Sequence, residues 1–211
     1  MFFIGDVHGI FRSIPERDIE EGYFDIIERL GNQKSIQVGD FGFGFCKKIL
    51  PIWDINHRFI RGNHDDPAAC QVHLNHLGDY GVSEDGIFFV GGGYSIDVDW
   101  RKANAYMYPH PIWWEDEEIA EVEFDKIIEL YETTKPKIIV SHDCPSEIRN
   151  TLIDGNKPFR NRTSDGLLSV MFKVHQPELW VFGHYHESFD STIGRTHFKC
   201  LAELEVFEYS I

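Results

Sequence analysis

The chain has 211 residues, 42% hydrophobic and 26% charged, with a formal charge of −15 at neutral pH. That length suits one domain with a substantial core, expected to span 1–211, and the composition excludes extensive disorder. The acidic balance argues against long nucleic acid as a partner, because a phosphate backbone requires a positive surface.

The first nine residues, Met1-Phe-Phe-Ile-Gly-Asp-Val-His-Gly9, are an apolar run ending at glycine, followed by an aspartate and a histidine two apart. Short apolar runs bounded by glycine read as buried parallel strands. No basic region or apolar leader precedes the motif, so the expected location is cytoplasmic. The pattern Phe24, Ile27, Leu30 predicts a helix over Ile14 to Leu30, with Pro15 near its start and Gly31 after its end.

The strand device then recurs at Ser35-Ile-Gln-Val-Gly-Asp40 and at His57-Arg-Phe-Ile-Arg-Gly-Asn-His64. Between them, the glycines of Phe41-Gly-Phe-Gly-Phe45 lack the spacing of a nucleotide-binding loop and are expected to permit close backbone approach; a short helix is expected near Cys46 to Asp54. Pro67 predicts a helix to about Asn75, and Tyr80 to Gly93 reads as a strand pair turning at Glu84-Asp-Gly86.

Trp100 to Trp114 is aromatic and reads as an extended excursion packed on the body, with stacking on a substrate base as the alternative use of Trp100, Tyr106, Tyr108, Trp113 and Trp114. His110 is expected at the surface. Glu115 to Tyr131 reads as an acidic helix with a solvated face. Strands are expected at Lys137 to Val140 and Leu179 to Phe182, leading to Ser141-His142 and Gly-His-Tyr-His186. Asp154 to Arg162 is a basic loop, Gly166 to His175 a helix, and Ser188 to Tyr209 an antiparallel tail. Strands alternating with helices, then a late run of strands, predict a stack of mixed sheets flanked by helices.

No apolar run is long enough to cross a bilayer, so no membrane partner is expected. Cys46, Cys70, Cys144 and Cys200 have no metal-finger spacing and are expected to be free thiols.

Ligands bind outside the carboxyl ends of strands in open α/β sheets. Five strands therefore deliver Asp6, His8, Asp40, Asn63, His64, His142, His184 and His186 to one rim. Carboxylate, imidazole and amide oxygen suit borderline divalent metals, with manganese foremost and iron or zinc as alternatives. Two such ions, bridged by one carboxylate, would reverse the acidic field locally and accept a phosphate ester. They would acidify a bridging water and align it for in-line attack, while a histidine protonates the leaving oxygen.

Gly5-Asp-Val-His-Gly9, Gly39-Asp40, Gly62-Asn-His-Asp65, Ser141-His142 and Gly183-His-Tyr-His186 resemble, in order, the five motifs of the calcineurin-like dinuclear metallophosphoesterases. The resemblance implies a four-layer α-β-β-α sandwich of two mixed sheets flanked by helices. It implies Asp6, His8 and His186 on one metal, Asn63, His142 and His184 on the other, and Asp40 bridging. It gives His64 the role of phosphate contact and general acid.

The protein Ser/Thr phosphatases of this family carry an aspartate and an arginine where this chain has Phe43 and Gly44, which disfavours that activity. Arg61, Arg101, Arg160 and Arg162 are the candidates to replace the missing arginine, and Asp65 or Asp66 to orient His64. Gly91 to Asp97 with Trp113-Trp114 resembles a stretch of small bacterial and phage members. The expected activity is hydrolysis of phosphate mono- or diesters, with nucleotides and small phosphodiesters ahead of phosphoproteins. A metal-free scaffold subunit is the competing class, although every ligand position is filled.

Overall fold

The computed structural model describes residues 1–44, 50–152 and 162–210. Among the described residues, ten short strands form two sheets. In the smaller, β1 (Phe2–Ile4), β2 (Ser35–Gln37) and β3 (His57–Phe59) run parallel. The last strand, β10 (Val206–Glu208), pairs antiparallel to β1. In the larger, β5 (Phe88–Val90), β6 (Ile138–Ser141), β7 (Leu179–Phe182) and β9 (Thr196–Cys200) are parallel neighbours. Antiparallel β4 (Tyr80–Val82) and β8 (Phe189–Ile193) close its two edges.

The period-two alternation of strand side chains explains why the sheets stack. Phe3, Ile36, Phe89, Ile138, Val140, Leu179 and Val181 face one another in the core between the sheets. The intervening residues point outward: Ile4 and Phe59 pack against α1 (Tyr23–Leu30), through Tyr23, Ile26, Ile27 and Leu30. Phe88, Ile139, Trp180 and Phe182 pack against α4 (Phe124–Thr134) and α6 (Ser169–Val174). Helix, sheet, sheet, helix is the layer order the motifs implied.

Several local expectations need correction. The first helix begins at Tyr23, not Ile14, because Gly22 is extended and gives its N–H to Asp25. Upstream, Ile14 and Ile19 exchange backbone hydrogen bonds around one 3₁₀ turn at Pro15–Arg17, with Asp18 in the left-handed region. The helix α2 stops at Gln71, giving Pro67–Gln71. Leu50 to Asp54 is not helical, and the rest of that expected helix, with Cys46, lies outside the described residues.

The aromatic excursion is not extended: Asp97 pairs with Arg101 one turn on, inside α3 (Val98–Asn104). Glu115 to Ala120 is not helical. α5 (Ser146–Leu152) was not legible in the sequence, and the helix after it begins earlier than expected, as a π-helical stretch at Arg162–Leu168. The basic loop 154–161, with Arg160, lies outside the described residues. Cys70, Cys144 and Cys200 are free and buried. Among the described residues, no helix is long and apolar enough to cross a membrane.

Candidate metal centre

The carboxyl ends of β1, β2, β3, β6 and β7 converge on one rim, and all eight predicted site residues lie there. Turning sharply off a strand requires unusual backbone. His8, Asp40, His184 and His186 have φ of 46°, 52°, 73° and 56°. This left-handed region disfavours most side chains but is tolerated best by Asn, Asp and His, and such residues cluster at functional sites. Close approach also depends on space. A Cβ on Gly62 would overlap Asp40 Oδ1, and one on Gly183 would overlap Asp6 Oδ1.

Asp40 stands at the centre. Its Oδ1 accepts the His64 N–H at 2.8 Å and lies 3.4 Å from His142 Nε2, while Oδ2 lies 3.7 Å from His8 Nε2. On one side, Asp6, His8, Asp40 and His186 each offer a ligand atom within 4.8 Å of the others. Asp6 Oδ2 accepts the His184 N–H at 2.9 Å, and Oδ1 is buried with no hydrogen-bond partner among the described residues. A buried carboxylate oxygen of that kind fits a cation.

On the other side, Asn63 Oδ1 is 2.9 Å from both His142 Nε2 and His184 Nδ1, and those nitrogens are 3.2 Å apart. His142 Nδ1 lies 3.0 Å from the Val38 carbonyl, which only accepts, so Nδ1 carries the proton and Nε2 a lone pair. Asn63 Nδ2 donates to Ser95 Oγ at 2.9 Å, so the amide presents its oxygen to the imidazoles. Ser95 in turn gives its O–H and N–H to the two carboxylate oxygens of Glu117, at 2.7 and 3.0 Å.

Sequence reading missed this relay and assigned Glu117 and Glu118 to a solvated face. Both are buried. Glu118 accepts from Thr163 and Arg162. Glu203, also missed, lies 3.7 Å from His8 and 3.8 Å from His186; nothing in the local sequence marks it.

Electrostatics agree with a cation site. Burial pushes the carboxyls of Asp6 and Asp40 well above the usual range, and each is raised further by acidic neighbours. Burial pushes His142 well down, with His184 beside it, and lowers His8 to about 4. His64 is lowered to about 2 by burial and then by the charge of Arg101, so it is neutral near pH 7. A divalent ion favours ionised carboxylates and neutral imidazoles, and the donor set fits one.

The candidate arginines separate cleanly. Arg61 is buried on Asp79 and the Glu117 carbonyl, and Arg162 pairs with Glu118. Arg101 alone among the described candidates reaches the rim, its Nη2 2.6 Å from His64 Nε2. Asp65 receives the N–H groups of Phe41, Gly42, Phe43 and Gly62, so it organises the loops around Asp40. Asp66 caps α2.

Phe43 stacks on Phe59 in the apolar layer under α1, and a side chain on Gly44 would run into Trp114. Those two positions have therefore become part of the hydrophobic framework. Trp100, Tyr108, His110 and Trp114 line a cavity with His64, whereas Trp113 lies under the Lys102 ammonium and Tyr106 is exposed.

Imidazoles and carboxylates gathered at the strand ends of a two-sheet sandwich define a candidate metal-binding α/β protein. The family model of the calcineurin-like phosphoesterases matches residues 1–188, and the chain belongs to that family. A comparison with curated proteins finds no match. Membership implies metal-dependent phosphoester hydrolysis.

Proposed function

We propose that the protein hydrolyses phosphate mono- or diesters with two divalent ions, manganese foremost. Asp6, His8, Asp40 and His186 hold one, and Asp40, Asn63, His142 and His184 the other. The observation that carries this reading is the position of Asp40 between the two clusters, with one oxygen toward each. When bound, such ions supply Lewis acidity toward a phosphoryl group and lower the pKa of water.

The chain's own groups do the rest. The carbonyl of Val38 fixes the tautomer of His142, and Ser95 fixes the face of the Asn63 amide. Asp40 Oδ1 holds the His64 backbone, which sets the ring at the edge of the cluster as a phosphate contact. Nε2 of the neutral imidazole accepts from Arg101, so its other nitrogen is the one that donates to an ester oxygen; the negative charge of a bound phosphate favours protonation of the ring, and with it proton transfer to the leaving oxygen. Arg101 Nη2 adds a fixed positive charge beside it.

Protein loaded with Mn²⁺ is expected to cleave p-nitrophenyl phosphate or its bis ester. Asp40→Asn, which keeps the shape and removes the charge, is expected to lower kcat about a thousandfold or more. Full activity in that variant would end the scheme. Less than one equivalent of metal bound by the wild type would instead favour a scaffold role.

A further inference from the structure

Beside the metal centre, a cavity of about 330 Å³ continues outward from His64. Trp100, Tyr108, His110, Ile112 and Trp114 wall it, all from the stretch between Asp97 and Glu115, with the Gly44 backbone opposite. That volume is at the small end of ligand pockets, typically about 300–1,000 Å³. Trp100 and Tyr108 remain 51% and 40% exposed, so their rings are not consumed by the core. Aromatic faces left open beside the polar cluster offer a surface on which a flat ring can stack.

The guanidinium at the mouth is held in place. Arg101 Nε bonds Asp97 Oδ1 at 2.7 Å and Nη1 bonds the Ile112 carbonyl at 3.0 Å, which aims Nη2 at His64. The second of these bonds ties α3 to the loop carrying Ile112 and Trp114, so charge and aromatic wall form one unit. Trp114 lies directly against Gly44, where any side chain would close the cavity from the other side.

We propose that this cavity is the leaving-group subsite, and that it selects phosphoesters whose leaving group ends in a flat heteroaromatic ring of nucleobase size. The proposal rests on the phosphoesterase reading in one respect: His64 faces the leaving oxygen, so a cavity that continues from His64 receives what departs. The ring enters between Trp100 and Tyr108, and its phosphoryl end meets Arg101 and the metal cluster. Stacking on aromatic side chains tolerates different bases because each presents a π-face.

Two measurements test it together. With Mn²⁺-loaded protein, kcat/KM for adenosine 5′-monophosphate is expected to exceed that for ribose 5-phosphate at least about tenfold, and Tyr108→Ala and Trp100→Ala are each expected to shrink that ratio severalfold. In calorimetry on metal-free protein, adenosine is expected to give saturable binding that ribose does not, weakened about tenfold in either variant. Equal kcat/KM for the two esters, together with no binding of adenosine, overturns the subsite and leaves the hydrolase reading intact. Adenosine binding without cleavage of either ester, of p-nitrophenyl phosphate or of its bis ester retains the subsite and overturns the hydrolase reading. Binding unaffected by both substitutions also overturns the proposal, since the ring would then sit elsewhere.

Discussion

The two halves of the rim each set two histidines beside one further oxygen donor, the Asp6 carboxylate in one and the Asn63 amide in the other, and hold them differently. Asn63 and His142 are 2% and 0% exposed, and the free end of each side chain is tied down, by Ser95 and by the Val38 carbonyl. The half around His8 and His186 is open: the His186 side chain is 45% exposed, and its neighbour Glu203 equally so. Its histidines sit on left-handed turns at His8 and His186, as His184 does in the buried half. Preorganised ligands release metal slowly and open ones exchange it, because hydrogen-bonded supports can change metal affinity by about one to two orders of magnitude. The buried half is thus expected to be the tight site and the open half the exchangeable one.

The largest effect expected from breaking this asymmetry comes from the buried half. On the proposed two-ion scheme, His142→Ala should remove one ion and lower kcat about a thousandfold, with no rescue by added Mn²⁺. His186→Ala should cost about 10- to 100-fold and be partly restored by millimolar Mn²⁺. Metal analysis and kcat against metal concentration read both, and equal rescue would show that the halves do not differ.

A smaller effect tests the relay. In Ser95→Ala the Asn63 amide loses the acceptor that fixes its face and can turn its NH₂ toward His142 and His184. Competition with a chromogenic chelator should show one ion bound about 10- to 100-fold more weakly and the other unchanged. Glu117→Gln should move the same ion in the same direction, because one of the two oxygens that accept from Ser95 is replaced by an NH₂ donor.

Proton-linked unfolding elsewhere has to be separated from metal loss, and His76 is its clearest source. Burial lowers its pKa to about 4; Asp79 opposes the shift, while Arg58, Arg61 and His73 add to it. The unfolded chain, with an ordinary value near 6.5, binds more protons between those limits, so stability falls as pH drops from 6.5 toward 4. At pH 6 the loss is about 1 kcal/mol. Urea unfolding of His76→Phe against wild type across that range should show a shallower slope in the variant. The smallest effect belongs to Glu203→Gln, expected to weaken only the exchangeable ion, by a few-fold, since its carboxylate is half exposed and screened.

How much of this was legible follows from the range of each signal. The strand ends were plain because apolar run, glycine and ligand are adjacent in the chain, as in Val38-Gly-Asp40. Asn63 was legible, but Ser95 and Glu117 were not, because the bonds of the relay join Asn63 to Ser95 across 32 residues and Ser95 to Glu117 across 22. Glu117 sits in an acidic run, and only the fold reveals that it turns inward. The helix placed at Ile14 failed because apolar spacing outweighed the cap at Gly22 and Asp25. The aromatic excursion failed for the opposite reason, as the Asp97–Arg101 spacing was a helix signal hidden among bulky rings. The tail divides between the sheets, β8 and β9 in the larger and β10 paired with β1, and no local pattern encodes that division.

That pairing has a temporal consequence. Gly5 gives its N–H to the Glu205 carbonyl, and Leu204 gives its own to the carbonyl of Asp6. The backbone that presents Asp6 is therefore braced by residues about two hundred positions away. Contacts so distant in sequence form late and slow the approach to the native state. During synthesis, Asp6 waits about two hundred residues before these neighbours arrive. A nascent chain stalled before β10 would carry every motif of the rim and still lack a finished cradle for its ions.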